Sequence, residues 1–297
     1  MSNPQKPFIS VIIPTYHDWA RLKLCIDALK SQIYPAELFE VIIVNNGPED
    51  IAPELNLPQN FQLISEAKPG SYAARNAALA IAKGDILAFT DSDCQPQADW
   101  LESAVKLFEV DPSVSRIGGK ISLIMNGEKP TFAEMYEQAY AFRQQDFVRD
   151  KGMAATGNMI AKKGVFDCIG NFNEQLMSGG DAEWGIRAQV KGFDIVYSEA
   201  CVVWHPTRSR LKEIVQKTKR EAGGHFSLIK DQGIEKKILS ILIGFLPPVK
   251  SMMRVFRDKN LTLKEKIISI SIRYYLRLIS TLERLKLLLA LKNVERV

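Results

Sequence analysis

The 297-residue chain is 46% hydrophobic and 25% charged, without low-complexity tracts or internal repeats. That composition belongs to a globular protein with an ample core and excludes a fibrous or disordered chain. The net charge of +5 hides an asymmetry: residues 206–297 carry +13 and residues 1–205 carry −8, so the C-terminal part is suited to an anionic partner, lipid or nucleic acid. The four cysteines (Cys25, Cys94, Cys168, Cys201) form no CxxC pair and no signal peptide opens the sequence, which points to a reduced, cytosolic setting.

In chain order, residues 8–13 read as a strand stopped by Pro14. Residues 19–32 read as a helix with Leu22, Cys25, Ile26 and Leu29 on one stripe and Asp18 as N-cap. An apolar strand over 39–44 runs into the turn Asn45-Asn46-Gly47-Pro48, and a weaker strand covers 61–64. An Ala-rich helix follows over 72–83, with Ser71 as N-cap and Gly84 as its stop. The alternation of strand and helix predicts a parallel, nucleotide-binding type of sheet. Further on, 117–125 reads as a strand, 132–148 as one helix, 157–160 as a strand entry, and 181–191 as a short helix with an acidic start. Residues 195–197 and 201–204 read as two strands before His205-Pro206.

From about Arg208 the chain becomes basic, with helices expected over 211–222, 236–256 and 263–291. The apolar run 238–246 is shorter than the roughly 20 residues a bilayer span needs. Apolar residues interleaved with Lys and Arg favour an amphipathic helix lying on anionic lipid over nucleic-acid binding. Packing on the body of the protein, or on a second copy in a homodimer, is the alternative.

The most informative stretch is 84–94. A short apolar strand, Ile86 to Phe89, buried on both faces by its composition, ends in Asp91 and Asp93, one residue apart. At the carboxyl edge of an open α/β sheet, such a pair offers hard oxygen ligands to a divalent cation that could hold a diphosphate. A polar turn in which Asp93 or Asp99 caps the next helix is the plainer reading.

The blocks Val11-Ile12-Ile13-Pro14-Thr15-Tyr16, Val41-Ile42-Ile43-Val44-Asn45-Asn46-Gly47, Ala74-Arg75-Asn76, Asp91-Ser92-Asp93 and Gly180-Asp181-Ala182-Glu183 with Arg187, in this order, resemble a family 2 glycosyltransferase. The resemblance covers residues 8–225. It implies an α/β GT-A fold with a mixed sheet flanked by helices: a nucleotide-binding part over 8–115, an acceptor part over 116–225, and a basic amphipathic helical tail over 226–297. It also implies an inverting transfer from a UDP-, GDP- or dTDP-sugar to a hydroxyl of a saccharide or lipid-linked acceptor, in cell-surface glycan synthesis at the inner membrane face, with Mn²⁺ or Mg²⁺ as cofactor.

By this resemblance Pro14, Thr15 and Tyr16 flank the base and ribose, and Arg75, Ser92 and Asp91 face the donor. Asp93, with Asp91 and His205, holds the cation, and Asp181 is the base. Asn45 stands where the family usually has Asp, and Gly180 where an acid usually precedes the base. Asn158 and Glu183 are candidate acceptor contacts, as are Trp184 and Trp204, for which core packing is the plainer reading; Lys217 and Arg220, with Lys219, are a mobile basic flap over the diphosphate or simply solvated charges. His17 and His225 have no partner spacing. A non-catalytic sugar-nucleotide-binding protein and a nucleotidyltransferase are the rival readings, though the second lacks its Gly-rich basic phosphate loop.

Overall fold

A computed structural model describes residues 6–229 and 233–289. The apolar runs form β1 (Ile9–Thr15), β2 (Phe39–Asn45), β3 (Phe61–Ser65) and β4 (Ile86–Thr90). With β5 (Gln95–Pro96), β6 (Arg116–Ile124), β7 (Asn158–Lys162) and β8 (Ile195–Pro206), they build one eight-stranded sheet in the order β3-β2-β1-β4-β7-β6-β8-β5. β1 runs parallel to β2 and β4, and β2 to β3. β7 is antiparallel to both β4 and β6, and β5 to β8. The sheet is therefore mixed, and only its first half is the parallel type expected from strand–helix alternation. Every residue of β1, β2 and β4 is buried, as strands covered on both faces require.

The helices are α1 (Trp19–Lys30), α2 (Ser71–Leu79), α3 (Trp100–Val110), α4 (Phe132–Tyr140), α5 (Gln144–Lys151), α6 (Lys163–Ile169), α7 (Gly180–Val190), α8 (Leu211–Leu228), α9 (Ile234–Phe245), α10 (Val249–Arg257) and α11 (Leu263–Leu288). The stripe Leu22, Cys25, Ile26 and Leu29 of α1 is buried, with Trp100, Leu101, Ala104, Val105 and Phe108 of α3, in the core beneath β1, β2 and β4.

Several boundaries differ from the sequence expectation, each for a local reason. Pro14 lies inside β1, because β4 pairs with β1 only as far as Ile12 and leaves Pro14 a ladder on the β2 side alone. α2 starts at Ser71 and ends at Leu79; Gly70, at φ 117°, is its N-cap. Asp18 precedes α1 without capping it, since its carboxylate accepts from Arg21 Nε at 2.8 Å instead. The expected helix over 132–148 is two, broken at Phe142, whose φ is 45°. The two strands expected around 195–204 are the single long β8. The expected helix over 236–256 breaks at Pro247-Pro248, and residues 290–291 of the last one lie outside the described residues.

The chain divides into two compact units, each assembled from separate stretches of sequence. The first comprises Met1–Ser122, Phe142–Gln175 and Gly180–His205; the second comprises Leu123–Ala141, Leu176–Gly179 and Pro206–Val297. In the second unit, α4, α8 and α11 meet through Ala133, Tyr136, Ile214 and Leu276. Ala139, Val255 and Leu261 form a satellite cluster with α10. Side chains of α11 also close the end of α9: Arg277 donates to the carbonyls of Gly244 at 3.0 Å and Ile243 at 2.8 Å, and the Tyr274 hydroxyl to that of Phe245 at 3.1 Å. These are carbonyls a helix C-terminus leaves without intrahelical partners.

Gly84 leads into β4 through a tight polar junction. Its N–H donates to Ser10 Oγ at 2.8 Å, and that hydroxyl donates to the buried Glu40 carboxylate at 2.7 Å. A Cβ at Gly84 would lie 2.4 Å from the Ser10 nitrogen and 2.6 Å from the Ile86 oxygen. Gly84→Ala should cost about 3 kcal/mol in urea unfolding, whereas Gly127→Ala, with nothing within 4 Å, should stay within about 0.5 kcal/mol of the parent.

Candidate active site

The carboxyl end of β4 delivers Asp91 and Asp93 to the rim of the first unit. Asp91 faces α2, where Arg75 Nη2 donates to its Oδ1 at 2.5 Å. The Arg75 side chain is 3% exposed, while that of Asp91 is 36% exposed; Nη1 donates to Ser71 O at 3.4 Å, so both terminal nitrogens are engaged while the carboxylate still reaches solvent. Arg75 Nε and the buried Thr15 hydroxyl have no hydrogen-bond partner among the described residues. Both are polar groups whose burial costs free energy until something pairs with them. Ser92 is buried and hydrogen-bonded to the Asp18 carboxyl. Gly157, just before β7, leaves room for Asp91: a Cβ there would stand 3.2 Å from Oδ2.

Asp93 turns the other way. β5 pairs with β8 through Gln95–Trp204 and Pro96–Val203, which places residue 205 beside residue 93 despite the distance between them in sequence. His205 Nε2 lies 3.3 Å from Asp93 Oδ2, and Arg21 Nη1 lies 3.7 Å from the same oxygen. His205 is 3% exposed, and its ring is 4.3 Å from that of Phe142. The backbone break at Phe142 therefore sits against the imidazole. One ligand atom each from Asp93, Cys94 and His205 lie within 4.8 Å of one another. A carboxylate and an imidazole at this spacing fit a divalent cation.

Asp181 opens α7. Its Oδ1 accepts from the Tyr72 hydroxyl at 3.2 Å and from the Ala182 N–H at 2.9 Å. Burial raises its pKa above the ordinary carboxylate value; Arg75 pulls the other way and the Asp91 charge adds to the rise. Asp181 and Asp91 thus share one electrostatic environment, joined through Tyr72 and Arg75, whose guanidinium lies 5.7 Å from the Tyr72 ring centre. α7 is anchored behind this by Arg116, fully buried at 0% exposure. It donates to the carbonyls of Phe193 at 2.5 Å, Gly152 at 3.1 Å and Gly185 at 3.3 Å, and desolvation lowers its pKa to about 10.

The turn after β2 is self-contained. Asn45 Oδ1 accepts from Gly47 N at 3.0 Å and its Nδ2 donates to the Asp50 carbonyl at 3.1 Å. Asn46 ties the turn to the start of α2, accepting from Gly70 N at 2.7 Å. Tyr16 stands half-exposed at the rim, its ring beside Gly47. Two participants were missed by sequence reasoning. Asp50 holds Trp19 Nε1 at 2.7 Å and His17 Nδ1 at 2.9 Å, which gives His17 a partner that spacing did not reveal. Tyr72 is the other, hidden because its partner lies far along the chain.

Other candidates fall elsewhere. Trp184 is 0% exposed, stacks on Phe166 at 4.2 Å and donates to the Gly170 carbonyl at 3.0 Å; it is a core residue and cannot touch an acceptor. Asn158 is equally buried: Oδ1 accepts from Trp100 Nε1 at 2.9 Å, and Nδ2 donates to Lys120 O and Cys201 O at 2.8 and 2.9 Å. It therefore ties strands together. Glu183 is paired with Arg187 at 2.6 Å. Trp204 is 42% exposed and keeps a face free for a ligand. Lys217 and Arg220 belong to α8 in the second unit, where Lys217 packs half-buried 3.9 Å from Glu221 and its pKa is lowered by burial.

The sequence model of glycosyl transferase family 2 matches residues 10–170. The chain belongs to this family. It is a glycosyltransferase with the GT-A fold. Glycosyltransferase AglE of Haloferax volcanii is 33% identical over 253 residues, spanning 81% of this chain and 82% of its own. The dolichyl N-acetyl-alpha-D-glucosaminyl phosphate 3-beta-D-2,3-diacetamido-2,3-dideoxy-beta-D-glucuronosyltransferase of Methanococcus voltae is 23% identical, over 71% of this chain and 70% of its own. Among solved structures, the mannosyltransferase PcManGT from Pyrobaculum calidifontis, in complex with GDP-Man and Mn²⁺, aligns with a TM-score of 0.55 at 17% identity, covering 98% of this chain and 77% of its own. S. aureus TarS 1-349 with UDP-GlcNAc aligns at 0.54 and 15% identity, over 95% and 92% of the two chains.

Burial raises the pKa of the thiols of Cys25 and Cys94, and that of Cys201 to about 11, whereas Cys168 is exposed. Under native conditions at pH 8, Ellman's reagent should therefore consume one thiol quickly and three only on unfolding. A second fast thiol would mean that the floor beneath Asp93 is open.

Proposed function

We propose that this family 2 glycosyltransferase carries a sugar from a nucleotide diphosphate donor to an acceptor hydroxyl in one inverting displacement. The observation that carries the reading is the shared environment of Asp91, Arg75 and Asp181 at the carboxyl edge of β4. Thr15, Tyr16 and Arg75 would meet the nucleotide, and the unpartnered Thr15 hydroxyl and Arg75 Nε would gain their bonds from it. Asn45, engaged within its own turn, would shape the base site more than read it. A cation held by Asp93 and His205, with Asp91 nearby, would neutralise the departing diphosphate; the imidazole nitrogen favours Mn²⁺ over Mg²⁺, which prefers oxygen.

Asp181 takes the proton of the acceptor hydroxyl as the new bond to the anomeric carbon forms and the bond to the diphosphate breaks. Its raised pKa sets the pH dependence. The basic form is lost as pH falls through that value, so the acid limb of kcat/KM should lie above pH 3.8, the ordinary aspartate value. Donor hydrolysis, tested with GDP-mannose and UDP-N-acetylglucosamine in Mn²⁺, should fall at least about 100-fold in Asp181→Asn. EDTA should abolish it, as should Asp93→Asn. Unaltered turnover in these variants would refute the roles.

We further propose that the second unit rests on an anionic membrane surface at the cytoplasmic face, where a lipid-linked saccharide would be the acceptor. The stretch Ile234–Arg257 is 24 residues long, apolar enough to cross a bilayer and mostly exposed. Its break at Pro247-Pro248 and its ties to Tyr274 and Arg277 suit helices lying at the interface. Leu242, Leu246, Val249, Met253 and Phe256 are exposed there, on the same stretch as Lys250, Arg254 and Arg257. The protein should co-sediment with phosphatidylglycerol vesicles at low salt, release at high salt and ignore phosphatidylcholine. Phe256→Asp should weaken binding. A protein that stays in the supernatant, or that dimerises instead, would count against this docking.

A further inference from the structure

Family resemblance leads one to expect an acid immediately before the base, yet residue 180 is glycine. The space such a side chain would use is filled. A Cβ at Gly180 would lie 2.7 Å from Tyr72 Cε2, 2.8 Å from Cδ2 and 2.9 Å from Cζ, all closer than real Cβ atoms approach a neighbour. Tyr72 is 5% exposed in the first turn of α2, packed against Phe172 with ring centres 5.7 Å apart and with Arg75 near its face. Its hydroxyl reaches past the glycine to Asp181 Oδ1 at 3.2 Å.

We propose that Tyr72 is the positioning residue for Asp181, its ring occupying the place vacated at Gly180 and its hydroxyl fixing the orientation of the carboxylate. The proposal rests on the reading of Asp181 as base. Geometry supports it from both sides: glycine at 180 admits the ring, and the ring's edge contacts hold the phenol where only Asp181 is offered to it among the described residues. The phenol stays protonated, because burial and the Asp181 charge both raise its pKa, so it remains a donor. Facing Asp181 are Tyr72 and Arg75 from α2, Asp91 from the end of β4, and the Ala182 N–H of its own helix. Of these, Tyr72 and the Ala182 N–H bond its carboxylate directly. A donor to the carboxylate stabilises its charged form, so removing that donor raises the pKa.

The test is Tyr72→Phe, which keeps the ring and deletes one oxygen. Carboxyl-¹³C aspartate NMR of the full chain, with the Asp181 signal assigned by its loss in Asp181→Asn, reads the titration without any substrate. The Asp181 pKa should rise by about one unit, and Gly180→Ala, which must push the ring aside, should raise it likewise. With GDP-mannose or UDP-N-acetylglucosamine in Mn²⁺, Tyr72→Phe should lower the hydrolysis kcat about 10-fold at pH 7 and leave the donor KM unchanged. It should also shift the acid limb of the rate profile upward by the same unit. An unshifted Asp181 titration in Tyr72→Phe overturns the proposal. Full hydrolysis by Asp181→Asn, with the titration shift still present, would instead sink the base assignment and leave the contact standing.

Discussion

Four carboxylates, those of Asp18, Asp91, Asp93 and Asp181, gather around the carboxyl ends of β1 and β4, and the site depends on keeping them from repelling one another. Each has a partner, and Arg21 serves two of them. Asp18 takes Arg21 and Ser92, Asp91 takes Arg75, Asp93 lies between His205 and Arg21, and Asp181 takes Tyr72. Like charges this near would drive one another to protonate; the interleaved cations and donors let them keep separate roles. Burial lifts the pKa of both Asp18 and Asp181, but Asp18 is paired with Arg21, whereas Asp181 has no cation in contact among the described residues and keeps the raised pKa a proton acceptor needs.

The scaffold explains why these partners meet. Parallel β1, β2 and β4 put loop ends on one rim, and antiparallel β7 and β8 return the chain there with Gly157 and His205. Arg116 then anchors α7 from behind with bonds to three backbone carbonyls, so Asp181 is carried on a helix whose position is set by a buried, well-bonded group. The second unit has its own logic. α11 supplies both the core contacts to α4 and α8 and the side chains that finish α9, leaving the apolar side of α9 and α10 outward.

Much of this could be read in the amino acids, and the limits are physical. The run from Ile86 to Phe89 could only be a strand covered on both faces, so the place of Asp91 and Asp93 followed. The helix break at Phe142 could not be foreseen, because no Gly or Pro marks it and the His205 ring it meets lies far along the chain. Asn158 sits in the core and not in the cleft, and of Trp184 and Trp204 only the first follows the usual burial of an indole, because residue type alone does not say which way an amide or an indole faces. Tyr72 and Asp50 escaped notice because their partners are distant in sequence, and side-chain pairing across a fold leaves no periodic mark. The Pro247-Pro248 pair was visible, but its effect on a helix otherwise apolar and long was underestimated.

The suture between β5 and β8 is only two residue pairs long, yet it sets where His205 stands. Side chains alternate across a strand, so a length change in β8 that slips it by one residue against β5 would turn the imidazole to the opposite face of the sheet. Insertions are therefore barred from this segment, and relatives that diverge in length should keep the spacing along β8 intact.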